Sequence, residues 1–343
     1  MGLPLEAAGL LNNKYERGKR NKITDVAGIK VGHVTIDDEE KNIHTGVTAV
    51  IPHPGNTFRE KLPAGTAVIN GFGKSTGLIQ IDELGTLETP IVMTNTLSVG
   101  TALTALVKYM LERNKDIGTL TGTVNCVVTE CNDGSLNDIR GLHVTEKHVF
   151  QALENCSEDF EEGAVGSGRG MICMGLKGGI GSSSRMVLVD EQRYTIGALV
   201  MSNFGVLGNL RIDGKVVDVS EEKRIGGKEK GSVIILLATD IPMNDRQLRR
   251  VARRSVVGLG RTGSYLGNGS GDIAIAFSTA DKIPHYSKKK IITRSEILDD
   301  AMDPVFEAAA EAVEEAVISS LYHSEGMTGI RKNTVHGVRE YLP

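Results

Sequence analysis

The sequence has no excess of positive charge. Its 39 Lys and Arg stand against 43 Asp and Glu, a formal net charge of −4 at pH 7, so there is no electrostatic footprint for nucleic acid. The one basic cluster, Arg249, Arg250, Arg253 and Arg254, falls in an expected helix and reads as a solvated or subunit-facing stripe. No run approaches the roughly 18 consecutive apolar residues that span a bilayer, which argues against a membrane partner. No basic segment followed by an apolar core opens the chain, so no secretory signal is expected, and Glu6 rules out a myristoylation motif at Gly2. The four cysteines, Cys126, Cys131, Cys156 and Cys173, form no CxxC pair and show no metal spacing. They suit a reducing compartment, and the expected location is the cytoplasm. Tryptophan is absent and aromatics make up 4%.

What the chain does have is glycine, 41 residues spread through short apolar runs rather than gathered in a low-complexity tract. Val- and Ile-rich runs bounded by Gly, Pro and Asn predict strands at 28–36, 46–51, 66–70, 91–94, 123–129, 171–176, 185–189, 195–202, 232–239 and 272–278. Helical spacing predicts a helix ending near Arg113, one over 143–155, one capped by the segment 242–245 and running to Leu259, and a last one with Asp303 as N-cap and Pro304 at its first position. Strands cluster without strict βαβ alternation. That argues against a doubly wound parallel sheet and favours a layered α/β sandwich with helices over stacked sheets. Residues 1–22 read as an irregular arm and 211–231 as the main linker.

Several chemistries fail on spacing. The segment Ile69-Asn-Gly-Phe-Gly73-Lys74-Ser75 suggests a phosphate loop, but Val68 occupies the position of the required first glycine, and the dinucleotide spacing is also missed. His143 and His148 lack the HExxH pattern and read as surface histidines, and no serine sits in a GxSxG elbow. No metal or cofactor is expected.

The junction Gly231-Ser232 is different. A polar stretch ends there and the most apolar strand begins. Cutting the bond before Ser232 would give one residue a hydroxyl nucleophile and a free α-amine, and an amine with pKa near ~8 can serve as base at neutral pH. Other polar residues lie in glycine-bounded turns at strand ends: Glu130 and Asn132, Asn203, and Ser270 with Asp272. Together they supply a nucleophile, a base, an amide donor for an oxyanion and an anion for a substrate ammonium.

Motifs over nearly the whole length resemble the DmpA-type aminopeptidases, which include the β-aminopeptidases. They run from Ile23-Thr-Asp-Val-Ala-Gly-Ile-Lys-Val-Gly-His33 and His44-Thr-Gly-Val-Thr48 through Thr94-Asn-Thr-Leu-Ser-Val-Gly100, Glu130-Cys-Asn-Asp-Gly134, Gly166-Ser-Gly-Arg-Gly-Met171 and Lys177-Gly-Gly-Ile-Gly181. They continue through Met201-Ser-Asn203-Phe-Gly205, Gly231-Ser232, Gly260-Arg-Thr-Gly263, Gly269-Ser-Gly-Asp272 and Ala276-Phe-Ser-Thr279. The resemblance implies a four-layer αββα sandwich of the N-terminal-nucleophile hydrolase type. It implies self-cleavage at Gly231–Ser232 within one domain, giving chains 1–231 and 232–343, and a homo-oligomer, tetrameric in αβ units. It makes Ser232 the nucleophile, Ser270 and Asp272 its supporting pair, Asn203 the oxyanion amide, and the Glu130 segment the receiver of the substrate's free amino group. The family's oxyanion tyrosine is replaced by Ser135, whose hydroxyl is shorter, and Asp272 stands where some members have Glu. The expected activity is hydrolysis of aminoacyl amides, esters or short peptides. Acyl transfer of the ornithine acetyltransferase type, which uses threonine at the junction, and a decayed, non-catalytic scaffold are the alternatives.

Overall fold

In the computed structural model the described residues are 10–219 and 228–342, so the start of the expected arm and residues 220–227 of the expected linker lie outside them. The main strands are β1 (Lys30–Asp38), β2 (Ile43–Ile51), β3 (Glu60–Val68), β4 (Ile91–Asn95), β5 (Val127–Cys131), β6 (Ile180–Val189), β7 (Gln192–Asn203), β8 (Lys230–Thr239) and β9 (Gly269–Ser278). The longer helices are α1 (Val99–Arg113), α2 (Glu146–Glu154), α3 (Asp245–Arg261) and α4 (Asp303–Tyr322). One sheet has the order β1-β2-β4-β5; the other runs β3-β9-β8-β7-β6, with Ile283–Pro284 on its outer edge. Within them β4 with β5 and β8 with β9 are parallel, and the remaining neighbours are antiparallel.

Alternation along the strands stacks these sheets into four layers, because a strand sends successive side chains to opposite faces. Val233, Ile235 and Leu237 of β8 point to a core shared with Leu248, Val251 and Ala252 of α3 and Val305, Ala309 and Val313 of α4. Ile234, Leu236 and Ala238 point the other way and meet Val50, Ile91 and Met93 of the smaller sheet. Val47, Ala49 and Val92 on the far side of that sheet are covered by Ala102, Leu106, Val149 and Leu153 of α1 and α2. Helix, sheet, sheet, helix is the sandwich expected from the sequence. No helix among the described residues is long and apolar enough to cross a membrane.

The structure corrects several local readings. The strand expected over 123–129 lies at Val127–Cys131, so Glu130 belongs to a strand and not to the turn after it. The strand containing 195–202 extends to Asn203, which the ladder to β8 holds in place. The strand expected over 171–176 is a small hairpin, Ile172–Cys173 with Leu176–Lys177. Asp303 is the first residue of α4, and Met302 takes the N-cap position. The first part of the supposed linker is packed: Ile212, Val217 and Val219 are buried in the α3/α4 core. The described part of the arm, residues 10–22, is irregular yet tied to α4, with Asn13, Lys14 and Arg17 bonding Glu311, Glu315 and Glu307.

Arg185 of β6 is fully buried and reaches two of the same carboxylates, Glu311 (3.1 Å) and Glu315, while a third N–H donates to the Ser184 carbonyl. Removing the cation would strand buried carboxylates, which typically costs about 3 kcal/mol or more. Arg185→Met should therefore lower the urea midpoint strongly, and a midpoint within error of the wild type would contradict this role.

Candidate active site

Ser232 sits near the start of β8, 6% exposed, with Asn203 of β7 as its antiparallel partner and Gly271 of β9 as its parallel partner. It shares the face of Ile234 and Leu236 and so points between the sheets. A Cβ on Gly271 would lie 3.0 Å from the Ser232 Oγ and 2.6 Å from the Phe72 carbonyl, so glycine there leaves room for the hydroxyl. Gly231 has φ +113°, and a Cβ on it would fall 1.8 Å from the Asn203 carbonyl oxygen, so no other residue fits this backbone.

Ser270 is the register partner of Gly231, and Asp272 that of Val233. Both therefore share the helix-side face that carries Val233 and Ala274, opposite to the Ser232 hydroxyl. The Ser270 hydroxyl donates to Asp272 Oδ1 (2.5 Å), and Asn70 Nδ2 donates to Asp272 Oδ2 (2.9 Å). Burial pushes the Asp272 carboxyl above its ordinary range and the charge of Glu229 adds to this, while the bonds from Ser270 and Asn70 oppose it.

On the Ser232 side a cleft of about 390 Å³ opens, lined among others by Glu130, Asn132, Ser135, Asn203, Ser232 and Phe72. Asn203 Oδ1 accepts from the Ile172 backbone N–H (2.9 Å), and its Nδ2 donates to the Asn132 carbonyl (3.0 Å). This fixes the amide's orientation and leaves a second Nδ2 hydrogen for the cleft. Glu130 is 2% exposed; one carboxylate oxygen accepts from the Lys74 backbone N–H (2.8 Å) and the other from the Thr96 hydroxyl. Ser135 is exposed, and its carbonyl is held by Asn333 Nδ2 (2.9 Å) from the hairpin Met327–Gly329/Asn333–Val335.

The cleft thus gathers Ser232, Gly231, Asn203, Glu130, Asn132 and Ser135, with Ser270 and Asp272 behind the strand that carries the nucleophile. Sequence reasoning missed Asn70, Thr96 and the backbone of Lys74. The glycine-rich segment containing Asn70 and Lys74 fits neither nucleotide-binding spacing; instead its backbone addresses a carboxylate. His143 pairs with Asp138 (3.0 Å) and His148 with Thr145, both away from the cleft.

The model of peptidase family S58 matches residues 21–335. Beta-peptidyl aminopeptidase BapA of Sphingosinicella microcystinivorans is 37% identical over 346 residues, covering 93% of this chain and 85% of that protein. Among solved structures, a Pyrococcus horikoshii OT3 protein superimposes with TM-score 0.94 at 50% identity, covering 99% of this chain and 98% of that one. The L-aminopeptidase D-Ala-esterase/amidase of Ochrobactrum anthropi, described as a serine aminopeptidase with a new variant of the Ntn hydrolase fold, superimposes with TM-score 0.88 at 37% identity, covering 98% of this chain and 99% of that one. By sequence and by fold, the chain belongs to peptidase family S58 and is a hydrolase of peptide or amide bonds.

Proposed function

We propose that the chain is a self-processing serine aminopeptidase and amidase that removes amino-terminal residues from small aminoacyl amides, esters or short peptides. The observation that carries this reading is the register of β7, β8 and β9, which sets the Ser232 hydroxyl beside the Asn203 amide with buried Glu130 across the same cleft. In the precursor, Ser232 Oγ attacks the Gly231 carbonyl, the C–N bond breaks, and the resulting ester is hydrolysed by water. Gly231 becomes a carboxylate and Ser232 a free amine. Ser270 and Asp272 lie on the opposite face from the hydroxyl, so the amine is the better placed base. They act on that amine, because Gly231 and Ser270 are register partners. The amine takes the Oγ proton as Oγ attacks the substrate carbonyl, and an Asn203 N–H receives the developing oxyanion. The leaving amine carries the proton away, and water hydrolyses the acyl-enzyme. Both products of self-cleavage stay in one fold, since β8 and β9 lie between β3 and β7 in a single sheet.

A buried carboxylate lining the cleft selects a substrate with a free ammonium. The names of the S. microcystinivorans and O. anthropi relatives agree with an aminopeptidase. Purified protein should hydrolyse aminoacyl p-nitroanilides and leave their N-acetylated forms untouched. Equal rates on both would sink the aminopeptidase reading. Glu130→Gln should raise KM for the free-amine substrate by about tenfold or more, the usual scale for losing a charged hydrogen-bond partner, with a smaller change in kcat.

The raised Asp272 pKa has its own signature. If the ionised carboxylate is the working form, kcat/KM is high above that pKa and falls as pH drops through it. The neutral Ser232 amine sets the main acid limb, so Asp272 should add a second, more acidic inflection that lies above the ordinary carboxylate range near ~3.9, and Asp272→Asn should remove that inflection alone. A pH–rate profile decides.

A further inference from the structure

Lys177 is fully buried in the hairpin below the cleft and has no part in the mechanism above. Its Nζ donates to three backbone carbonyls, Gly178 (2.6 Å), Met171 (2.8 Å) and Gly168 (3.2 Å). Burial pulls its pKa well below that of an ordinary lysine, and the charge of Arg169 adds to the effect. An ammonium placed in such a cage is costly to desolvate, and an apolar side chain could fill the space more cheaply.

The cage leads to the site. Met171 C=O and Ile172 N–H are the two ends of one peptide group. The carbonyl end accepts from Lys177 Nζ and from the Gly178 N–H (3.0 Å), and the N–H end donates to Asn203 Oδ1 (2.9 Å). Asn203 Nδ2 then donates to the Asn132 carbonyl and faces the cleft with its other hydrogen. A donor on the carbonyl oxygen draws electrons through the peptide and strengthens its N–H as a donor. That bond in turn polarises the Asn203 amide, since linked hydrogen bonds reinforce one another. The same chain locks the amide against a flip, because the Ile172 N–H can donate to Oδ1 but finds no acceptor in an amide NH2.

We propose that Lys177 is a positioning residue for the oxyanion donor, orienting and polarising the Asn203 amide through the Met171–Ile172 peptide. The proposal rests on the reading of Asn203 as that donor.

The test is a double-mutant cycle of Lys177→Met and Asn203→Ala, with kcat and KM for an aminoacyl p-nitroanilide counted per processed chain by intact mass. Lys177→Met alone should lower kcat by about tenfold or more and leave KM within about twofold. In the Asn203→Ala background the same substitution should change kcat by less than about twofold, because two residues acting through one group are not additive. An unchanged kcat, or the full loss in both backgrounds, would overturn the proposal. Lys177→Gln takes the place of Lys177→Met if the latter does not fold, and failure of both to fold assigns the lysine to the fold alone and also overturns it. If the wild type hydrolyses no aminoacyl amide, the functional reading fails by itself, and a crystal structure of the variant then decides. The Asn203 amide should turn away from the Ile172 N–H; an amide left in place overturns the proposal.

Discussion

Ser232→Ala is expected to stay a single 343-residue chain and to lose hydrolysis by at least about 10⁴-fold, the scale on which removal of a covalent nucleophile is felt. The wild type should give two fragments by intact mass, residues 1–231 and 232–343. In the proposed scheme both effects come from one atom, since the same Oγ would attack Gly231 in the precursor and the substrate afterwards. The fold should survive. Ser232 lies at the end of a strand whose other residues, Val233 to Ala238, supply the buried contacts, and alanine suits the same pleat. A melting temperature close to that of the wild type would separate lost chemistry from lost structure. An uncut, fully active wild type, or a Ser232→Ala chain that still yields both fragments, would sink the scheme.

Gly231→Ala is expected to remain uncut as well, for a steric reason. The residue holds φ +113° with the Asn203 carbonyl oxygen 1.8 Å from where a Cβ would sit. A methyl group there forces the strand away from β7 and carries the scissile carbonyl out of line with the Ser232 hydroxyl. Backbone strain of this kind costs about 1–3 kcal/mol, and a displacement of about 1 Å can slow an intramolecular attack a hundredfold. Time-resolved intact mass should show the full-length chain persisting where the wild type is processed. Processing at the wild-type rate would mean that the scissile segment does not need this backbone. Fragments that do form should be as active per site as those of the wild type, because Gly231 is then a chain end.

Glu229 completes the picture of a held junction. It is buried two residues before Gly231, its carboxylate accepting from the Tyr265 N–H (3.0 Å) and the Ser264 hydroxyl, and its own N–H donating to the Tyr265 hydroxyl (2.7 Å). The segment is thus pinned on one side by Glu229 and pressed on the other against Asn203. Nothing in the sequence marks Glu229, because both of its carboxylate partners lie 35 and 36 residues away, in the loop after α3.

Some of the site was legible and some was not, for definable reasons. The run from Val233 to Thr239 is apolar on both faces, so a central strand was readable without a structure, and with it a hydroxyl at the strand's entry. The layered architecture was readable from clustered strands and few long helices. The limits of β5 and β7 were misjudged because strand ends depend on what the neighbouring strand offers. Asn203 stays extended because Ser232 pairs with it, and Glu130 because Thr94 does. The sequence offers Ser270 and Asp272 together with Ser232, and the structure sets them on neighbouring strands but on opposite faces. A one-residue difference in register would have put them on the nucleophile's own face.

Local chemistry in the sequence therefore determined the strand-rich layered fold, a hydroxyl at the entry of its most apolar strand and the kinds of polar groups at hand, because these depend on residue type, apolar period and glycine placement along the chain. The tertiary structure alone decided which of those groups share a cleft, which of them lie on the face opposite the Ser232 hydroxyl, why position 231 admits no side chain, and how a buried lysine connects to the Asn203 amide. Each of those depends on the register of strands distant in sequence, and register is set by packing between layers that no single segment encodes.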